Sequence, residues 1–156
     1  SLISRFENVI ILRTFSKSFG LPSIRLGYIL SNKNIIKIFN TFRLSYESNF
    51  LTDKVVTYFL QNIKIVENYI KKVKQGREFI KSELRKINLK VIGGKSNYLL
   101  IIFENETIYK KIYGELNHNK IYVKGGYKGV LKNAILFTCG PKKTMKILLK
   151  TIKNNI

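Results

Sequence analysis

The chain has 156 residues, enough for one domain or two small ones. Its 45% apolar and 24% charged residues exclude a disordered or low-complexity fibre. Lys and Arg outnumber Asp and Glu by 29 to 9, a formal net charge of +20, which by itself suggests a polyanion partner. The lysines are nevertheless spread along the chain, with no dense run beyond Lys71, Lys72 and Lys74 or Lys142 and Lys143. Ile and Asn are enriched alongside them while Ala134 is the only alanine. That is a chain-wide bias rather than a nucleic-acid footprint, so no nucleic-acid partner is expected.

Val9 to Arg13 is a short apolar run after Glu7 and Asn8, the pattern of a strand buried on both faces of a parallel sheet. Arg25 to Ser31 reads as a second strand. Thr14 to Ile24, punctuated by Gly20 and Pro22, reads as the loop between them. From Thr52 to Ile87 the apolar residues, among them Val56, Phe59, Ile63, Val66 and Ile70, recur at helical spacing and predict one amphipathic helix. At 1.5 Å per residue it would be about 54 Å long, so it is expected to bridge two lobes or to break near Gly76.

Lys90 to Ile92 and Asn97 to Phe103 are strand-like, with Gly93 and Gly94 between them. Ile108, Ile112 and Leu116 predict a short helix over Thr107 to Leu116. Ile121 to Lys124 and Ile135 to Cys139 are short strands around a flexible glycine-rich loop. Pro141 suits the first position of a closing helix with Met145, Leu148, Leu149 and Ile152 on its apolar face. The fold class is α/β, in two parts: residues 1 to about 50, and a part of α+β type from 51 to 156.

Most candidate sites fail on chemistry. His118, the only histidine, sits in a polar loop from Leu116 to Lys120, and no zinc pattern is present, so no metal is expected. Gly125, Gly126 and Gly129 match neither a dinucleotide fingerprint nor a phosphate loop. Cys139, the single cysteine, lies in an apolar strand and reads as a buried structural thiol; a lone unpaired cysteine also fits a cytoplasmic setting. No apolar run approaches the roughly 18 residues of a membrane helix, and no leader pattern opens the sequence.

One constellation remains: Thr14, Ser16, Lys17 and Arg25. A lysine at the exit of a buried strand becomes nucleophilic as desolvation disfavours its ammonium form. Hydroxyls at Thr14, Ser16 and Ser18, with the Arg25 guanidinium folding back across the loop, are the donors that a phosphate needs. A phosphate-bearing aldehyde would use both halves of the set. A surface loop that merely contains Lys and Ser is the plain alternative.

The segment TFSKSFGLPSIRLGYILS, residues 14–31, resembles the lysine segment of fold-type I pyridoxal-phosphate enzymes, in particular the histidinol-phosphate aminotransferase-like branch of the class I and II aminotransferases. RLSYESNFLTDKVV occupies the place of that family's interdomain crossover, SNYLLIIF resembles its small-domain strand with Asn97, and LFTCGPKKTMKILL resembles its terminal strand and helix. The resemblance implies that residues 1–50 are the C-terminal part of a three-layer α/β/α cofactor domain and 51–156 a small α+β domain led by a long interdomain helix. It implies pyridoxal 5'-phosphate as cofactor, joined to Lys17 as an internal aldimine, with Thr14, Ser16 and Arg25 on its phosphate. It also implies an amino donor and a keto acid as substrates, and a homodimer.

Family members are longer, and their glycine-rich turn, ring-stacking aromatic and pyridine-binding Asn and Asp lie upstream of the lysine segment. The chain is therefore expected to be a C-terminal portion that is inactive alone. Of the family's two substrate-gripping arginines, one aligns with Lys124 in IYVKGG and the other with Leu136 in AILFTCG, and leucine cannot hydrogen-bond a carboxylate. Lys124 and Asn97 remain as substrate-binding candidates, with backbone donors from the Gly125 to Gly129 loop. A decarboxylase of amino-acid phosphates on the same fold, and a non-catalytic basic interaction domain, are the alternatives.

Overall fold

In chain order the computed structural model, which describes residues 2–156, forms β1 (Ile11–Thr14), β2 (Gly27–Leu30), α1 (Lys33–Thr41), α2 (Phe50–Gln61), α3 (Ile63–Lys86), β3 (Lys90–Ile92), β4 (Tyr98–Ile102), α4 (Glu106–His118), β5 (Ala134–Thr138) and α5 (Lys142–Lys153). Pro22–Ile24 and Gly129–Leu131 are single 3-10 turns. The residues divide into two compact units, one running to Val66 and the other Glu67–Ile156. This division falls inside α3, whereas the sequence marks a boundary near residue 50.

Three helices start on asparagine. The side-chain carbonyl of Asn32 accepts from Ile35 N at 3.0 Å, that of Asn49 from Thr52 N at 2.9 Å, and that of Asn105 from Thr107 N and Ile108 N at 2.7 and 3.2 Å. Each bond satisfies an N–H that the first helical turn leaves unpaired. Both the Asn32 cap and the helical spacing of Ile35, Ile38 and Phe39 signal α1 in the sequence.

In the first unit β1 and β2 pair antiparallel, with Ile11 opposite Leu30 and Thr14 opposite Gly27. The expectation of a parallel strand buried on both faces is corrected: the connection is a loop with one 3-10 turn, not the helical crossover that parallel neighbours need. A two-stranded ribbon cannot bury both faces, and Leu12 is 72% exposed.

The single long helix is also corrected. It ends at Gln61 and restarts at Ile63: Asn62 leaves helical geometry at φ −112°, ψ 42°, with its side-chain amide donating to Tyr58 O at 2.9 Å. Asparagine competes with helix backbone in this way, and a one-residue polar break leaves apolar periodicity untouched. α3 runs unbroken through Gly76. A Cβ there would stand 2.0 Å from Gly140 O and 2.9 Å from the Pro141 carbonyl carbon, so the glycine lets the β5–α5 connection lie directly on the helix.

The second unit holds an antiparallel sheet in the order β3-β4-β5, with Leu99 opposite Phe137 and Ile101 opposite both Val91 and Ile135. Strand alternation sends Leu99, Ile101, Ile135, Phe137 and Val91 to one face, where they are buried with Ile80 and Leu84 of α3, Ile112 and Leu116 of α4, and Met145, Leu148 and Ile152 of α5. Eight of these core side chains are fully buried, each contributing about 2 kcal/mol. The opposite face, with Ile92, Tyr98, Leu100 and Leu136, carries no such cover, and both Ile92 and Tyr98 are exposed. The expected strand at Ile121 to Lys124 reduces to one bridge, Lys124 opposite Leu136. Pro141 caps α5 one residue earlier than expected, and His118 ends α4 rather than lying in a loop.

Gly76→Ala is expected to lower stability by about 2 kcal/mol or more through overpacking, seen as a lower urea midpoint. A glycine serving as a bend would respond with the opposite sign, since alanine is favoured inside a helix by about 1 kcal/mol.

Candidate functional site

Phe15 organises the loop that carries Lys17. It is 5% exposed, its ring centroid lying 4.8 Å from that of Phe19 and 5.6 Å from that of Tyr28. Its backbone is held on both sides: Phe15 N donates to Leu26 O at 3.2 Å, and Phe15 O accepts from Leu21 N at 3.1 Å. The chain therefore wraps around one aromatic ring. Gly20, at φ 68°, closes the turn by donating its N–H to Lys17 O at 3.0 Å. Sequence reasoning passed over Phe15 and Phe19, although an aromatic on each side of Ser-Lys-Ser is a visible signal.

The strand pair fixes where this loop begins and ends. Gly27 faces Thr14, and a Cβ on Gly27 would lie 2.6 Å from Arg13 O, so only glycine allows the approach. Thr14 Oγ1 donates to Ser16 Oγ at 3.0 Å and accepts from Ser16 N at 3.1 Å, which brings the two expected hydroxyls together. Arg25 closes the loop at φ 52°, ψ 35°, and its Nη1 donates to Pro22 O at 3.0 Å. That bond uses one of the guanidinium's five N–H donors. Lys17 is exposed rather than buried at a strand exit, so the sequence expectation of a desolvated ammonium is not met in this unit. An outward-facing ribbon supplies no apolar wall around it.

The other candidates lie in the second unit. Lys124 and Leu136 exchange both backbone bonds, Lys124 N to Leu136 O at 2.9 Å and Leu136 N to Lys124 O at 2.8 Å. Residues so paired share a face of the sheet, which here is the uncovered one. On its other side Leu136 faces Leu100 of β4. The Lys124 ammonium stands 5.8 Å from the Tyr127 ring centroid. Asn97 precedes β4, its carbonyl accepting from Cys139 N at 2.8 Å, and so belongs to the β4–β5 end of the sheet rather than to the Lys124 bridge.

The glycine loop after Lys124 is seated, not loose. Tyr109 and Tyr113 stack with centroids 5.8 Å apart, and a Cβ on Gly125 would fall 2.7 Å from the Tyr113 ring and 2.8 Å from the Tyr109 hydroxyl. Gly126 N donates to Tyr109 Oη at 2.9 Å, which removes one of the backbone donors expected for substrate. No group of three or more metal-ligating side chains occurs among the described residues, and no helix there is long and apolar enough to cross a membrane.

A family model described as aminotransferase class I and II matches residues 1–152. The histidinol-phosphate aminotransferase of Caldanaerobacter subterraneus subsp. tengcongensis is 37% identical over 127 residues, covering 79% of this chain and 36% of the relative. The solved histidinol-phosphate aminotransferase from Clostridium acetobutylicum superposes with a TM-score of 0.80 at 25% identity, over 98% of this chain and 47% of that one. The enzyme from Sinorhizobium meliloti, solved in complex with pyridoxal-5'-phosphate, superposes with a TM-score of 0.76 at 21% identity, over 95% of this chain and 42% of that one. The chain thus spans less than half the length of the relatives it matches.

Cys139 is buried, and burial pushes its thiol up to about 11, the nearby Arg77 charge acting against that shift. An unfolded thiol titrates near 8.5. Stability from keeping the thiol neutral is therefore fully present below about pH 8.5 and is lost as pH rises through about 11. Between those values the wild type is expected to lose about 3 kcal/mol more than Cys139→Ala, measured as urea midpoints across pH.

Proposed function

Because the chain belongs to the class I and II aminotransferase family, with the fold of the fold-type I pyridoxal-phosphate enzymes, we propose that it supplies the lysine-bearing and small-domain portions of a histidinol-phosphate aminotransferase-like enzyme. The reaction moves an amino group between an amino acid or amine and a keto acid. Residues 1–50 are the C-terminal part of the cofactor domain, and 51–156 the small domain. The whole enzyme is a cytoplasmic homodimer.

The observation that carries this reading is the loop from Thr14 to Arg25. Two hydroxyls 3.0 Å apart, an exposed ammonium three residues beyond the first and a guanidinium closing the same loop form a donor set that fits a phosphate and an aldehyde. Arg25 strengthens the fit. A non-glycine residue in the left-handed region costs about 1 kcal/mol, and such strain is kept where a side chain must be placed.

In this reading Thr14 Oγ1, Ser16 Oγ and the Arg25 guanidinium hold the phosphate, while the Lys17 amine is the covalent attachment point. When bound, pyridoxal phosphate supplies the conjugated ring that takes up the electron pair released at the substrate α-carbon. Lys17 Nζ moves the proton at that carbon. The Lys124 ammonium receives the substrate's anionic group, and Asn97, at the β4–β5 end of the sheet, is a separate substrate contact. Leu136, beside Lys124, offers no bond to a carboxylate and narrows the substrates accepted.

In a protein carrying the rest of the fold, incubation with pyridoxal phosphate, borohydride reduction and peptide mapping should place the pyridoxyl group on Lys17, and Lys17→Arg should abolish that peptide. Label confined to scattered lysines overturns the assignment. The 156-residue chain alone is expected to turn over no amino donor, because the ring is oriented by groups outside these residues.

In a protein carrying the rest of the fold, Leu136→Arg should lower KM for an ordinary α-amino acid at least about tenfold, the lower end of a charge-assisted bond. An unchanged KM, in a wild type that already handles glutamate well, would place the carboxylate ligand elsewhere.

A further inference from the structure

Residues 93–97, Gly-Gly-Lys-Ser-Asn, lead into β4 and end on the proposed substrate contact Asn97. Two glycines make this segment costly to order, and they offer no side chain by which to hold it. Nor can one be added at Gly93, which sits at φ 140° with a would-be Cβ 2.6 Å from Leu99 Cδ2. The two glycines leave only backbone groups as handles, and two cations on α3 bond carbonyls of the segment. Lys81 Nζ donates to Gly93 O at 2.8 Å, and one turn earlier Arg77 Nη1 donates to Ser96 O at 3.1 Å. The i, i+4 spacing puts both on the same side of the helix.

Arg77 is the more telling of the two. It is 8% exposed, one of three buried polar residues among those described. Burying a guanidinium is unfavourable unless its N–H groups find acceptors, and a packed apolar side chain often serves stability as well or better. Its carboxylate partner, Glu78 at 3.0 Å, is the next residue of the same helix and is itself mostly exposed, so that pair ties α3 to nothing else. The bond that reaches beyond the helix is the one to Ser96 O. The segment is then completed from the residue after β5, where Cys139 N donates to Asn97 O, and locally, where Ser96 Oγ donates to Tyr98 O at 2.9 Å.

We infer that Arg77 and Lys81 are positioning residues which, through the carbonyls of Ser96 and Gly93, fix the segment that presents Asn97. Its functional meaning rests on the reading of Asn97 as a substrate contact. The anchoring itself does not, and it can be measured on the 156-residue chain without cofactor. The reporter is hydrogen exchange at the Cys139 amide, because that N–H is spent on Asn97 O.

Arg77→Met and Lys81→Met should each speed Cys139 exchange about tenfold or more, while amides at the centre of β4 keep the wild-type rate. Arg77→Lys, which restores one donor, should recover part of the protection. Ile80→Val serves as the control, since it weakens the core of the same helix and should speed all β4 amides alike. Exchange at Cys139 within twofold of wild type in both methionine variants overturns the proposal, as does an acceleration shared equally along β4. If Arg77→Met does not fold, Lys81→Met, outside the core, decides.

In a protein carrying the rest of the fold, Lys81→Met should raise KM for the amino donor with kcat unchanged, as Asn97→Ala does. An Asn97→Ala protein with unaltered KM would remove the substrate role of Asn97 while the exchange result still stands for the anchoring.

Discussion

A three-stranded sheet has two faces, and in the second unit the helices cover one. Leu99, Ile101, Ile135 and Phe137 are spent on the core with α3, α4 and α5, and what the unit can present lies on the reverse side or at the strand ends. Lys124 and Leu136 are paired on that reverse side and Asn97 stands at the β4 end, so the candidate contacts are placed by strand parity and register rather than by a pocket. The tight seat of α3 against the β5–α5 connection, possible only at Gly76, brings that helix onto the sheet.

Each irregular segment near a candidate residue is held by a different device, and the device follows from what the segment offers. The Lys17 loop contains apolar rings, so Phe15 packs under it with Phe19 and Tyr28. The loop after Lys124 offers small glycines, so the stacked Tyr109 and Tyr113 come up against its backbone. The segment before Asn97 offers carbonyls, and cations meet them.

The lysine excess is partly absorbed in the same way. Lys81 ties a loop, Lys142 lies 4.9 Å from the Phe79 ring centroid, and Lys153 reaches from α5 to Glu83 on α3 at 3.1 Å. Glu83, bonded by Lys86 and Lys153, has its carboxyl held below the ordinary carboxylate range. A count of cations along the chain does not separate these internal roles from a binding surface, because the distinction depends on what each ammonium meets after folding.

The sequence by itself determined the type and approximate place of most elements, the apolar face of α5 with Met145, Leu148, Leu149 and Ile152, and the Thr14–Ser16–Lys17–Arg25 segment as the place to look for chemistry. Those features are local, since period-2 and period-3.6 patterns and a short motif are written in neighbouring residues. Tertiary structure decided the antiparallel sense of β1 and β2, the break at Asn62, the part played by Gly76 and the pairing of Lys124 with Leu136. Each depends on a contact between residues distant in the chain, or on a single side-chain hydrogen bond that outweighs a weak local propensity, and apolar periodicity carries no record of either.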